Sequence, residues 1–282
     1  MMSSPARRWY DELIRQGVLG LLCLLLLVPF YIVVVNVFKD KADILSNPLS
    51  LPIGHLTFDN LIKAAVSPSF NIFKAYGNSI VITTLSILFI VTVGAMMSYV
   101  IARSHNRFTK FVYFLLLAGL MIPPQVLLLP LVKLLDRIGL LFTFQGLIFY
   151  NIAWYLPFTV FIYTGFIRTI SAQLDESAKM EGAGMVRIFW GIIFPLLRPA
   201  TASVVIFLFL WIWNDFINPL VILGTSGGYT VTTGIYMAIG KFSSNWDQVF
   251  SLMFMASVPV LVLYVFMQRF IIAGLTDGAV KG

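Results

Sequence analysis

The sequence contains few charged residues, one cysteine and two histidines, and these shortages exclude several classes of protein. Only 11% of its 282 residues are charged, whereas 59% are apolar; a soluble domain has about 25% charged residues. The mean hydropathy of +0.92 agrees. A chain this apolar cannot cover its surface with polar groups, so we expect lipid to be its solvent. The composition argues against an ordinary soluble enzyme, a nucleic-acid-binding protein and a disordered linker.

Residue types that commonly carry chemistry are scarce. The one cysteine, Cys23, lies in an apolar run, which excludes a disulfide framework and a cysteine-based metal site. His55 and His105 are far apart in predicted loops on opposite sides of the membrane, so neither a histidine metal site nor a Ser–His–Asp arrangement is expected. The sequence contains no GxxxxGK[ST] phosphate loop, and we therefore expect no ATP hydrolysis by that route. It predicts no catalytic residue, no metal site and no cofactor bound by this chain.

Six apolar stretches are long enough to cross about 30 Å of hydrocarbon, and in lipid they are expected to be helices. Asp215 is the only ionisable residue well inside one of them. The sequence thus predicts an all-α integral membrane protein with a cytoplasmic N-terminus (1–16), a six-helix transmembrane domain (17–268) and a cytoplasmic tail (269–282). The predicted spans are 17–38, 75–102, 111–132, 140–167, 199–223 and 249–267.

The distribution of lysine and arginine predicts the orientation of these spans. With both termini in the cytoplasm, twelve of the 19 basic residues lie inside and seven lie outside, in agreement with the positive-inside rule. The net charge of +7 is therefore interpreted as membrane topology and not as a nucleic-acid surface. We predict a multi-pass protein of the cytoplasmic (inner) membrane.

The long cytoplasmic segment, residues 169–198, contains an unusual concentration of charge. Asp175 and Glu176 fall early in a short predicted helix, where carboxylates suit the helix dipole. Gly182 is predicted to break that helix, and Pro195 is predicted to kink or end the next one. From the residues alone, the segment is either a docking element or an amphipathic linker helix on the lipid surface.

This segment resembles the EAA motif of the membrane subunits of ABC importers. The motif, roughly EAAxxDGA followed later by apolar-x-Pro, is similar to ESAKMEGA and the later proline of this chain. Serine stands here where alanine is usual, and glutamate where aspartate is usual. The resemblance implies that the short helix is a coupling helix, which docks on an ATPase subunit and transmits its movement. The coupling residues that it implies are Glu176, Ser177, Ala178, Glu181, Gly182, Ala183 and Gly184.

Other stretches are similar to the second membrane subunit of maltose-type carbohydrate importers. They are GNS at 77–79, YVIAR at 99–103, MIPP at 121–124, WNDF at 213–216 and the C-terminal GLTDGAVKG. The resemblance covers about residues 15–282 and implies a type I ABC importer permease fold. It implies a second, different membrane subunit, two ATPase subunits that bind ATP and Mg, and an extracytoplasmic solute-binding protein. The chain would be a non-catalytic half of the path for a sugar or oligosaccharide, with a polyol or glycerol phosphate as the alternative solute.

The resemblance also assigns two contact segments outside the membrane. The external stretch 225–241 would reach into the binding protein, with Gly227 and Gly228 as an adaptable tip beside Tyr229. The C-terminal tail would contact the ATPase dimer. A flexible connector and a frayed terminus are the alternatives. The tail residues that would supply the polar contacts are Thr276, Asp277 and Lys281.

Several polar and aromatic residues in the spans are candidates for lining the path. Aromatic rings stack on sugar rings, whereas amides and carboxylates bind hydroxyls. An interfacial tryptophan belt with a snorkelling aspartate is the alternative. Gln125, Asn151 and Tyr155 are further candidates that helix–helix hydrogen bonds also explain. The principal candidates are Asn78, Trp211, Asn214, Asp215 and Asn218.

Two other classes of protein are weighed against the importer subunit. A self-sufficient secondary carrier would need intramembrane ion sites and often an internal repeat. A membrane-embedded enzyme would need clustered His, Asp or Glu near the interface. Neither pattern is found in the sequence.

Overall fold

A computed structural model of the chain describes residues 5–54, 56–67, 70–104, 106–241 and 245–279. Within these ranges the ordered elements are helices and no β-strand occurs, which confirms the all-α prediction. The helices are α1 (Pro5–Val37), α2 (Lys41–Ser46), α3 (Asp59–Ala65), α4 (Ile72–Arg103), α5 (Arg107–Gly119), α6 (Pro124–Arg137), α7 (Phe144–Ile167), α8 (Gln173–Met180), α9 (Met185–Ile188), a π-helical turn (Phe189–Ile193), α10 (Phe194–Leu196), α11 (Arg198–Asn214), α12 (Ile217–Leu223), α13 (Val231–Lys241) and α14 (Trp246–Ala279).

Four helical stretches in the described residues are long and apolar enough to cross a membrane, and two bent helix pairs raise the number to six if each pair is one span. The four stretches overlap the first, second, fourth and sixth predicted spans. α14 continues as one helix through the part of the predicted tail that the structure describes. The four stretches are Trp9–Val37, Ile72–Arg103, Phe144–Ile167 and Trp246–Phe266.

The predicted span 111–132 is sharply bent where its two adjacent prolines lie. α5 ends at Gly119 and α6 begins at Pro124, and the two helices are bent by 107°. Pro123 and Pro124 explain the break, because proline lacks a backbone N–H and disfavours helical geometry in the residue before it. At the start of α6 the missing N–H costs little, since the first N–H groups of a helix have no partner inside it.

The predicted span 199–223 is also interrupted. α11 ends at Asn214, Asp215 is extended with φ −64° and ψ 131°, and α12 begins at Ile217. The Asp215 carboxylate accepts hydrogen bonds from the Asn218 backbone N–H (3.3 Å) and from its side-chain Nδ2 (2.8 Å). The Thr232 hydroxyl donates to the Asp215 carbonyl at 2.7 Å. These bonds satisfy polar groups that a broken helix would otherwise leave without partners.

The chain divides into two compact units, and the first comprises Met1–Ile72 and Ile235–Val258. Inside it, the buried Asn60 amide donates to the carbonyls of Val37 (3.2 Å) and Lys39 (2.6 Å) and so fixes the end of α1. Most apolar side chains of α1 stay exposed, and only 6% of its most apolar stretch is buried. An apolar helix surface without protein cover is what a lipid-facing span requires.

The second unit comprises Phe73–Gly234 and Pro259–Gly282. Its main core joins α4, α7 and α11 through buried Ile90, Tyr163 and Leu208, and the same cluster includes Ala178 of α8 and Ile193 of the π-helical turn. The segment 169–198 therefore packs into the same core as three long helices.

Candidate functional site

α8 ends in a tight glycine turn, as the sequence predicts. Gly182 has φ +82°, a conformation that glycine adopts at no steric cost. The Gly182 N–H donates to the Lys179 carbonyl and the Ala183 N–H donates to the Ala178 carbonyl, each at 2.9 Å. This pair of bonds is a Schellman motif, which satisfies the last carbonyls of the helix and stops it. The turn gives α8 a defined length and direction.

One buried aspartate holds α8 against the C-terminal end of α4. Asp175 is only 4% exposed, its Oδ1 accepts a 2.6 Å hydrogen bond from the Tyr99 hydroxyl, and its Oδ2 lies 2.8 Å from Nη2 of Arg103 as an ion pair. Arg103 also donates through Nη1 to the carbonyls of Ile170 (3.1 Å) and Ile167 (3.5 Å). The cluster thus connects α4, the end of α7 and α8.

Sequence reasoning missed this cluster because it assigned Asp175 only to the helix dipole. A usable signal was present: Tyr99 and Arg103 are four residues apart and therefore share one face of α4. Both lie at a span end, where a buried carboxylate partner would be needed.

The opposite face of α8 is uncovered. Of the seven predicted coupling residues, Ala178 is buried, Ala183 is half-buried and the other five are exposed. Met180 is 89% exposed. A cavity of about 530 Å³ opens beside α8 and is lined partly by Arg103, Arg168 and Lys179. The arrangement is an anchored helix that presents glutamates, a methionine and a glycine turn to solvent or to another protein.

The break between α5 and α6 and the break between α11 and α12 line a common cavity in the second unit. A space of about 360 Å³ is bounded by the first turns of α6 and by the α11–α12 break. A second space of about 250 Å³ shares four of its lining residues, Pro124, Asn214, Asp215 and Asn218, and adds aromatic side chains from α7 and α11. We call the two spaces together the break cavity. Four of the predicted path residues line it: Trp211, Asn214, Asp215 and Asn218.

The other path candidates are divided by the structure. Gln125 and Tyr155 line the break cavity. Asn78 donates to the Tyr229 carbonyl at 2.8 Å, a contact between α4 and the loop before α13, and its place on the path stays a prediction. Asn151 is buried and donates to the Ser86 hydroxyl at 3.1 Å, which is a helix–helix hydrogen bond.

Gly227 and Gly228, the predicted tip in contact with the binding protein, are closely packed, and their contact with a binding protein stays a prediction. A Cβ on Gly227 would lie 2.4 Å from the Phe142 carbonyl oxygen and 2.7 Å from the Leu223 oxygen, and Gly228 has φ +97°. These glycines are needed for close packing, not for flexibility. Thr225 and Ser226 are the exposed residues of this turn, and most of the remaining stretch to Lys241 is helix α13.

The predicted tail contacts stay predictions. Thr276 and Asp277 belong to α14, whereas Lys281, like His55 and His105, lies outside the described residues. In the described part of the chain no three His, Cys, Asp or Glu side chains gather where they could hold a metal ion.

Comparison with known proteins shows the family. The sequence model of one protein family, described as a binding-protein-dependent transport system inner membrane component, matches residues 90–273 of this chain. The melibiose/raffinose/stachyose import permease protein MelC of Bacillus subtilis (strain 168) is 36% identical over 256 residues, which are 90% of this chain and 91% of MelC. The probable starch degradation products transport system permease protein AmyC of Thermoanaerobacterium thermosulfurigenes is 33% identical over 260 residues, or 92% and 93% of the two chains.

Two solved structures share the fold. A chain of a bacterial ABC transporter involved in the import of the acidic polysaccharide alginate superposes with a TM-score of 0.84 at 19% identity, covering 95% of this chain and 99% of that one. A chain from the alginate transporter in complex with its alginate pentasaccharide-bound periplasmic protein gives 0.64 at 19% identity, covering 93% and 96%. With a family model over more than half of its length and relatives above 30% identity along nearly all of it, the chain belongs to the family of binding-protein-dependent transport system inner membrane components.

Proposed function

We propose that this chain is a non-catalytic membrane subunit of an ATP-driven, binding-protein-dependent importer for a sugar or oligosaccharide. The observation that carries the proposal is α8, a short helix that Asp175 anchors to α4 while its glutamates and glycine turn remain uncovered. The printed names of MelC and AmyC support a sugar as solute. The comparisons give no support to a polyol, glycerol phosphate or secondary-carrier function.

The coupling role belongs to the exposed face of α8. A partner ATPase would contact Glu176, Glu181 and Met180, while buried Ala178 and Asp175 transmit its movement to the long helices. ATP and Mg would bind the two partner ATPase subunits, because this chain has no phosphate loop. A second membrane subunit would supply the other half of the path, and an extracytoplasmic binding protein would deliver the sugar. The solved alginate transporter in complex with a periplasmic protein supports the last partner by its fold.

The proposed topology has six crossings and both termini in the cytoplasm. The bent α5–α6 pair contributes one crossing and the bent α9–α11 pair contributes another, in which α11 is the part that crosses. The surplus of lysine and arginine on the α8 side supports the orientation. In this arrangement Met180 is cytoplasmic, whereas Ile53, between α2 and α3, is extracytoplasmic.

Site-directed cross-linking tests the proposal. Met180 and Ile53 are 89% and 85% exposed, so they are matched in accessibility, and the proposed topology puts them on opposite sides of the membrane. After Cys23→Ser removes the one native thiol, Met180→Cys and Ile53→Cys are each labelled with a benzophenone maleimide in the purified complex. Irradiation is expected to join Met180→Cys to an ATPase subunit and to leave Ile53→Cys unjoined to it. No adduct from Met180→Cys, or an ATPase adduct from Ile53→Cys, would overturn the proposal.

A further inference from the structure

The two helix breaks face one cavity, and this juxtaposition requires an explanation. The α5–α6 break contributes Pro124 and Gln125, and the α11–α12 break contributes Asp215 and its neighbours to the same space of about 360 Å³. α11 has 17 residues, which is about 25 Å of helix. In the proposed topology its C-terminal end therefore lies within the hydrocarbon core, far from the side where the helix begins. Irregular backbone at such depth is tolerated only where it is buried in protein or lines a polar cavity. Two independent breaks at one cavity favour a polar solute path there.

Aromatic rings form a fixed wall of this cavity. Tyr155 and Trp211 are stacked, with ring centroids 5.6 Å apart and planes at 18°. Phe158 contacts Trp211 edge-on at 4.8 Å and 69°. Trp211 nevertheless stays 39% exposed. Because its neighbours hold the indole in place, its free surface is a preorganised apolar platform with few rotamers left to lose on binding.

The polar side chains beside this platform end in amide groups, except for one, which ends in a charged carboxylate. Asp215 is the sole charged side chain among the residues that line the break cavity. Asn218 donates twice to its carboxylate, and the backbone N–H groups of Phe216 and Ile217 also interact with it, so the carboxylate is held in place by amide groups that carry no charge. Asn214 and Gln125 add amides, and no lysine or arginine lines either space. An anionic ligand would meet an uncompensated negative charge here.

We propose that the break cavity is a saccharide subsite on this chain and that it selects uncharged sugar rings over acidic ones. A ring would stack on Trp211, and its hydroxyls would bind the amides of Asn214 and Gln125 beside the Asp215 carboxylate. The inference rests on the proposed function and deepens it, because it locates a solute contact and names its class. It also separates this chain from the alginate importer, whose solute is an acidic polysaccharide and whose chain shares the fold.

Cysteine protection in the complete complex tests the subsite. Asn214 is exposed, and its side chain makes its hydrogen bond only to the Leu210 carbonyl of its own helix, so Asn214→Cys is expected to fold. In the Cys23→Ser background, the rate of modification by a small methanethiosulfonate is measured with and without glucose, raffinose, maltotriose or trigalacturonate, both nucleotide-free and with ATP and vanadate. Thr225→Cys, exposed outside the cavity, is the matched control.

At least one neutral sugar is expected to slow modification of Asn214→Cys by about tenfold at about ten times its Kd, because about one site in eleven is then empty. Trigalacturonate should give no protection, and Thr225→Cys should react equally in all conditions. Trp211→Ala should abolish the protection and Trp211→Phe should retain most of it. The inference is overturned if no neutral sugar protects, if trigalacturonate protects equally, or if Asn214→Cys is unreactive in both nucleotide states because the partner subunit covers it. Failure of the proposed function is recognised separately, as an absence of sugar-stimulated ATPase activity in the wild-type complex.

Discussion

A small number of residues determine how α8 is attached and where it ends. Asp175 connects α8 to Tyr99 and Arg103 of α4, and Gly182 provides the positive φ that stops the helix. Both residues fix the position of α8 and take no part in a chemical step. Their replacement should therefore change the attachment of α8 more than the integrity of the spans.

Asp175→Asn is expected to loosen α8. The substitution leaves the buried Arg103 guanidinium without its counter-charge, and breaking a buried ion pair from one side costs about 3–5 kcal/mol. Hydrogen–deuterium exchange of amides 173–180 in the purified complex should accelerate, while exchange in α7 stays slow. A triple variant, Tyr99→Phe with Arg103→Met and Asp175→Leu, removes every partner at once and should restore much of the protection. Unchanged exchange in Asp175→Asn would show that the ion pair does not anchor the helix.

Gly182 substitutions are expected to rank by backbone strain, not by size. A Cβ at this position would meet no atom within 4 Å, so no clash occurs inside the chain. The φ of +82° is tolerated by asparagine better than by other non-glycine residues and is an outlier for β-branched ones. Gly182→Asn should lower the thermal midpoint of the complex less than Gly182→Val. The reverse order would indicate that partner contacts, and not the turn, set the requirement for glycine.

At the scale of elements, features that depend on residues close in sequence were predicted better than features that depend on residues far apart in sequence. The glycine stop of α8 and four of the spans follow from the sequence because they depend on neighbouring residues. Pro123 and Pro124 are a local signal for a kink within the predicted span 111–132, but the size of the bend, 107°, does not follow from the sequence. The break at Asp215 has local signals, since Pro219 cannot donate to the Asp215 carbonyl and the Asp215 carboxylate accepts from the Asn218 N–H, but the Thr232 hydroxyl that donates to this carbonyl is 17 residues away. The burial of Asp175 likewise depends on Tyr99, 76 residues away.

The loop between α12 and α13 provides a test of packing at this scale. In Gly227→Ala the new Cβ would lie 2.4 Å from the Phe142 carbonyl oxygen, and overpacking of this kind costs about 1–3 kcal/mol. Gly77→Ala is the control, because Gly77 lies in α4 with no atom within 4 Å of an added Cβ and alanine favours a helix by up to about 1 kcal/mol. Gly227→Ala should lower the thermal midpoint of the complex and Gly77→Ala should not. Equal midpoints would mean that the loop is free to move, as an adaptable tip would be.

At the scale of the whole molecule, composition predicted the solvent and the family resemblance predicted the class of protein. The family assignment is confirmed by comparison with known proteins. The sequence could not reveal that the two broken helices line one cavity, because that depends on how α6, α7 and α11 pack. The account that results has a helix anchored for coupling and, in the same unit, a cavity whose lining includes aromatic rings, amides and one carboxylate.

The central claim is that the exposed face of α8 couples ATP hydrolysis by partner subunits to sugar import. It is tested most directly by the number of sugar molecules imported per ATP hydrolysed in proteoliposomes with the complete complex and its binding protein. Glu176→Lys reverses a charge on the exposed face of α8, and Glu12→Lys reverses one on the exposed start of α1, where Glu12 has only a surface ion pair with Arg15. Glu176→Lys should assemble normally but lower the ratio by about tenfold, within the usual range of coupling free energies, and Glu12→Lys should keep the wild-type ratio. A wild-type ratio in Glu176→Lys would contradict the account.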